Sequence, residues 1–198
     1  MPLSFVHSQK PYPNNWRSYR RLIGHTIPPH WQAWLQDNGS LTQRLIQASN
    51  GHFSVRVVSN QWGIPSLSES QALHIAPRQS AIIREVELVC HGQVWVCARS
   101  IIPHSILNGR LRKFKNIGRQ PLGALLFKHT NMRRGALEVA CLEQGGQTRA
   151  HWARRSVFYL DNKGILVTEV FMPPMASVVP QDAKVIMKSS FARGLGRP

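Results

Sequence analysis

Apolar and polar positions alternate from Ser80 to Pro103, in two runs rich in Val, Ile and Trp on either side of His91-Gly92. Alternation of period two broken by a short turn signal predicts an antiparallel hairpin. On its first arm Ile82, Arg84, Val86 and Leu88 share one face, and Ile83, Glu85, Glu87 and Val89 the other. Arg84 is therefore a cation on the more apolar face. A turn closing symmetrically about His91 and Gly92 would pair Leu88 with Trp95, Val86 with Cys97, Ile82 with Ile101, and Arg84 with Arg99. Like charges facing each other destabilise a sheet, and a buried unpaired cation costs more, so an anion is expected over this face. It is either a structural carboxylate from another strand or a bound ligand. A turn of odd length would part Arg84 from Arg99 and leave Arg84 on the same face.

The rest of the chain supplies strands and short helices. Residues 1–21, with Pro11, Pro13, Asn14 and Asn15 before Arg17, Arg20 and Arg21, show no period and read as an extended basic arm. Pro28-Pro29 opens a helix through Trp31, Trp34 and Leu35, which Asp37-Asn38-Gly39 stops. Ser40 caps a second through Leu41, Leu45 and Ile46, ending at Asn50-Gly51. Such a helical hairpin packs a sheet face or covers a pocket. Phe53 to Val58 alternates as a strand, and a loop rich in Ser and Gln leads from Trp62, Gly63 and Pro65 to the main hairpin.

Beyond Pro103 the segment from Leu107 to Lys115 is densely basic and reads as a solvated surface. Gly118 permits a turn, Pro121 suits a helix start, and Leu122, Leu125 and Leu126 form a helical stripe whose first amides favour an anion. Leu137 to Leu142 predicts a strand. Arg154 to Leu160 and Ile165 to Met172 predict a second hairpin, with Gly164 in the left-handed position of a bulged turn. Ile165, Val167, Glu169 and Phe171 share a face of its second arm, so Glu169 is a carboxylate among apolar neighbours. Burial raises the pKa of such a group and a nearby Arg84 would lower it, a tension found in catalytic acids and bases and in structural pairs alike. From residue 177 on, the chain becomes a basic tail of Gly, Ser and Pro with no packing pattern.

A chain of 198 residues, 42% hydrophobic, fits one globular domain, placed at residues 22–176 between the arm and the tail. It contains no apolar run long enough to span a bilayer and no signal-peptide pattern near its start, so a cytoplasmic protein is expected. Cys90, Cys97 and Cys141 have no metal-type spacing and read as reduced core or strand residues. The nine histidines lack paired spacing, so no metal site is expected. A net charge of +16 suggests nucleic acid, yet the charge runs from Arg17 to Arg197 without a binding motif. Steering of a small polyanionic substrate is the other reading of that field.

In their joint order, several motifs resemble the chorismate lyase family. They are Ser40-Leu41-Thr42-Gln43-Arg44-Leu45, Ile83-Arg84-Glu85-Val86, Trp95-Val96-Cys97-Ala98-Arg99-Ser100-Ile101-Ile102-Pro103, Gly118-Arg119-Gln120-Pro121-Leu122-Gly123 and Thr168-Glu169-Val170-Phe171-Met172-Pro173. The resemblance, which runs from about Leu22 to Met175, implies an α+β fold in which a six-stranded antiparallel sheet carries helices that enclose an internal ligand site. It implies that Arg84 holds a ring carboxylate, that Glu169 lies near the ring hydroxyl, and that backbone groups of Leu41 and Leu122 touch the ligand. Leu41 stands where a family methionine is familiar, which alters pocket shape and leaves the backbone contact intact. The implied reaction converts chorismate to 4-hydroxybenzoate and pyruvate, at the first step of ubiquinone biosynthesis, with no metal or organic cofactor and by a monomer. Arg99 is carried as a secondary ligand contact on the pairing above, with a bridge to Glu85 or another acid as its alternative. A noncatalytic sensor domain of the same fold is the competing function.

Overall fold

The computed structural model describes residues 15–21, 27–107, 109–142 and 151–178. The expected residues 1–14 of the arm and the tail from 179 onward lie outside them. The strands are β1 (Arg17–Ser18), β2 (Phe53–Gly63), β3 (Ala81–Cys90), β4 (Gln93–Pro103), β5 (Arg133–Arg134), β6 (Glu138–Leu142), β7 (His151–Leu160) and β8 (Lys163–Phe171). The helices are α1 (Pro29–Leu35), α2 (Leu41–Ala48), α3 (Leu67–Leu73) and α4 (Leu122–Leu126). All described strand pairs are antiparallel, in the order β1-β6-β7-β8-β4-β3-β2, with β5 beside β7. Six long strands thus make the expected α+β sheet. The two-residue strands β1 and β5 bring it to eight. Part of the arm is accordingly a sheet strand rather than irregular chain, since Arg17 pairs with Val139 and Ser18 with Glu138.

The central hairpin turns at His91 and Gly92, both with positive φ (49° and 75°), as a two-residue turn matching strand twist requires. Its register differs from the symmetric one. Cys90 pairs with Gln93 and Val89 with Val94, but Leu88 then pairs with Val96, so Trp95 is an extra residue in β4. Every later pair shifts by one: Val86 faces Ala98, Arg84 faces Ser100, and Glu85 faces Arg99. The expected opposition of Arg84 and Arg99 is therefore absent, because the bulge sends Arg99 to the other side of the sheet. The edge strand β2 carries a second bulge at Val58 and runs on through Trp62 and Gly63.

The β7–β8 turn is also tighter than expected. Asp161 and Asn162 hold the left-handed conformation (φ 48° and 63°), and Leu160 pairs with Lys163. Gly164 sits inside β8 opposite Tyr159, where a Cβ would come within 2.8 Å of Val157 Cγ1. Close packing, rather than turn geometry, calls for glycine there.

Both faces of the sheet are covered. On the front, α1 and α2 bury Trp31, Trp34, Leu35, Leu41 and Leu45 against Val86, Leu88, Trp95 and Phe171. Ser40 caps α2 by accepting from the Gln43 amide. A second front cluster sets Leu111, Phe114, Ile117, Leu122 and Leu126 over Ile82, Ile102, Phe158 and Ile165. The basic run is thus a 3-10 segment, Gly109–Asn116, that buries Leu111 and Phe114 while its exposed side carries charge. On the back lies α3, in place of the expected Ser- and Gln-rich loop. Its Leu73 packs with Ala81, Ile101, Val157 and Leu166. Ser66 and Glu69 close a capping box at its start.

Candidate active site

Strand alternation delivers one row of side chains to the front face between the two front clusters. Arg84, Val86 and Leu88 come from β3, Ala98 and Ser100 from β4, Val167 and Glu169 from β8, and Arg154 and Phe158 from β7. With Arg134 of β5 and the starts of α2 and α4, they line a partly enclosed cavity with ≈ 40 Å³ open to water-sized molecules. That volume holds a few waters, so a larger occupant requires its covering elements to shift. Four of the five expected site residues, Arg84, Glu169, Leu41 and Leu122, meet at this cavity.

Arg84 is 2% exposed. Its Nη2 donates to the carbonyls of Gly118 and Gln120, both at 3.0 Å, and so ties β3 to the loop before α4. Gly118 bends that loop with φ 57°. Among the described residues no carboxylate lies within 4.0 Å of the Arg84 guanidinium. Desolvation pulls its pKa below the usual arginine value. Carbonyl dipoles offset that cost only in part, and the fork retains uncommitted donors for an oxyanion.

Glu169 finds its partner on β7 rather than in Arg84. Arg154 Nε donates to Glu169 Oε2 at 2.6 Å, and the two residues are register partners. Arg154 Nη1 donates to the carbonyls of Trp34 (2.7 Å) and Asp37 (2.9 Å), and the guanidinium lies over the Phe171 ring. Arg134 extends the same network: Nε donates to Ser156 Oγ at 3.1 Å and Nη1 to Asp37 O at 3.0 Å. Its pKa is pushed down by burial first and by Arg154 next, while Glu169 and Asp37 pull the other way. The turn between α1 and α2 is thus fastened to the sheet through one carbonyl shared by two guanidiniums.

Arg154 and Arg134 were not singled out from the sequence. Arg154 carried a readable signal, since Trp152, Arg154, Ser156 and Phe158 place a cation on an apolar face just as β3 does with Arg84. Arg134 carried none, because β5 is too short for alternation. Arg99 lies with Glu69 and Glu85 on the back face, its Nε 2.7 Å from Glu69 and Nη1 2.8 Å from Glu85. It is not among the cavity residues. The register that recommended it as a ligand contact is not formed, and the alternative bridge to Glu85 is. No group of three or more His, Cys, Asp or Glu able to hold a metal occurs among the described residues.

A partly enclosed hollow with three arginines and one glutamate carries an excess of two positive charges. It suits a small dianion with a polar group for Glu169. The profile of one family, described as chorismate lyase, matches residues 16–179. The chain belongs to that family. It is thereby a lyase. Among its relatives, a "Probable chorismate pyruvate-lyase" of Marinobacter nauticus is 37% identical over 140 residues, covering 71% of this chain and 74% of that protein. One from Methylobacillus flagellatus is 36% identical over 169 residues, with 79% and 93% covered, and one from Pseudomonas putida is 38% identical over 165 residues, with 81% and 89% covered. The family's fold extends to proteins of unrelated sequence. The C-terminal domain of a histidine utilization repressor from Pseudomonas syringae superposes with a TM-score of 0.51 at 8% identity, covering 62% of this chain and 93% of that one.

Proposed function

We propose that this chain is a chorismate pyruvate-lyase, releasing 4-hydroxybenzoate and pyruvate from chorismate, and that it serves the first step of ubiquinone biosynthesis in the cytoplasm. The observation that carries the reading is that Arg84 and Glu169 line one partly enclosed, positively charged cavity. Chorismate is a small dianion, matched in charge to that lining. Arg84 takes the ring carboxylate on its free donors, and amides at the first turns of α2 and α4, at Leu41 and Leu122, complete the binding. Glu169 meets the ring hydroxyl and serves the proton movement at the carbon that bears it. The ether bond to the enolpyruvyl group breaks as that carbon gives up its hydrogen as a proton, the ring becomes aromatic, and the departing enolate takes up one proton at its methylene carbon to become pyruvate. Arg154 touches Glu169 and is its positioning residue. Aromatisation supplies the driving force, so the protein's task is to hold the two breaking bonds aligned in a dry site.

The test is purified protein incubated with chorismate, with 4-hydroxybenzoate followed by absorbance and pyruvate by a coupled assay. Equimolar formation of both is expected. The competing reading, a sensor domain, is favoured by the likeness in fold to a regulator's C-terminal domain. Binding of aromatic acids with no pyruvate released at high protein concentration would select it.

A further inference from the structure

In the proposed reaction the substrate has two carboxylates and the product one, so one subsite has to serve the substrate alone. Of the cavity's ionised side chains, Arg154 and Glu169 neutralise each other. Arg84 and Arg134 remain, neither within 4.0 Å of a carboxylate among the described residues. They stand on opposite sides of that pair. Arg84 shares a row with Ser100 on β4, Val167 on β8 and Ser156 on β7, and Arg134 enters from β5, bonded to that same Ser156. Four strand spacings, roughly 19 Å of backbone, separate β3 from β5, and two long side chains reach inward across that gap. Arg134 commits Nε and Nη1 to Ser156 and to the Asp37 carbonyl, and its Nη2 has no partner among the described residues. We infer that Arg134 receives the enolpyruvyl carboxylate, so that it distinguishes chorismate from 4-hydroxybenzoate at the far end of the cavity from Arg84.

This inference rests on the lyase reading and assigns separate ends of the cavity to the two carboxylates. Arg84 touches a group common to substrate and product, and Arg134 one that departs with pyruvate. Losing a charge-assisted contact in a desolvated site weakens binding on the order of 100-fold. Arg134→Gln is therefore expected to lower kcat/KM for chorismate on the order of 100-fold while changing 4-hydroxybenzoate affinity by less than about 3-fold. Arg84→Gln is expected to weaken both ligands. The readouts are initial rates of pyruvate release, and 4-hydroxybenzoate binding followed by tryptophan fluorescence, which also reports that the variant is folded. Arg134→Lys keeps the charge without the planar fork, and it is expected to return kcat/KM to within about 10-fold of the parent. Equal losses for both ligands in Arg134→Gln, no loss for either, or no recovery in Arg134→Lys would each overturn the inference. A parent protein that binds both acids but releases no pyruvate refutes the reaction instead. Comparing chorismate and 4-hydroxybenzoate affinities in parent and Arg134→Gln then still decides the assignment.

Discussion

Arg84 stands in mid-strand at the cavity wall bonded to two carbonyls, and Glu169 stands two strands away with a guanidinium locked to it. The two therefore fail differently when changed. Arg84→Ala removes a ligand anchor and the tether to the Gly118 loop, so it is expected to raise KM on the order of 100-fold with a smaller fall in kcat. Glu169→Gln keeps the shape and loses the proton acceptor, so it is expected to cut kcat by roughly 100-fold to 10,000-fold with KM little changed. Steady-state kinetics on the two variants checks the division, and equal losses in both parameters would contradict it. Arg84 was legible from alternation alone, since a cation on an apolar strand face demands a reason. Arg99 misled because its face depends on register, which one extra residue upstream reverses.

Elements were legible where local chemistry is strong. Ser40 and Asn50-Gly51 bracket α2, and the α1 stripe of Trp31, Trp34 and Leu35 is buried as its spacing requires. Helix α3 escaped because Leu67–Leu73 is short and polar and its apolar face amounts to little beyond Leu73. Its signature was nevertheless present in Ser66 and Glu69. Glu69 does more than cap: at 3% exposed it accepts from the Ser66 amide and meets Arg99, which in turn bonds Glu85. Removing Glu69 takes two charge-assisted hydrogen bonds from Arg99, which keeps Glu85, and the helix cap from the Ser66 amide. Glu69→Ala is expected to cost on the order of 3 kcal/mol of stability, seen as an earlier urea midpoint. Ligand affinity should hold, because the network lies on the face opposite the cavity.

Across the whole molecule, the front core is split into two apolar clusters, and the cavity opens along their seam. That placement was implied by family resemblance and could not come from periodicity, which marks faces but not the gap between two packed layers. Burial also leaves a titratable liability. His151 is 3% exposed, neither ring nitrogen has a partner among the described residues, and desolvation pulls its pKa down. His129 shifts the same way through burial and Lys113, against Asp161. The unfolded chain then binds protons near pH 6.5 that the folded chain refuses, so stability falls as pH drops below that value, by up to about 1.4 kcal/mol per pH unit for each group. The melting temperature is expected to decline between about pH 7 and about pH 5. The decline should be shallower in His151→Leu.

The extra residue at Trp95 has a wider meaning for anyone altering this protein. Which of two neighbouring arginine-bearing strands shows its cation to the interior is decided by parity, a count of amino acids after the hairpin tip, and not by their identity. Excising Trp95 would remove the bulge and leave every later pair as it stands, whereas drawing Trp95 into the ladder would turn Arg99 toward the hollow and Ala98 and Ser100 away from it, so the chamber's polarity hangs on one unpaired residue that does not line it.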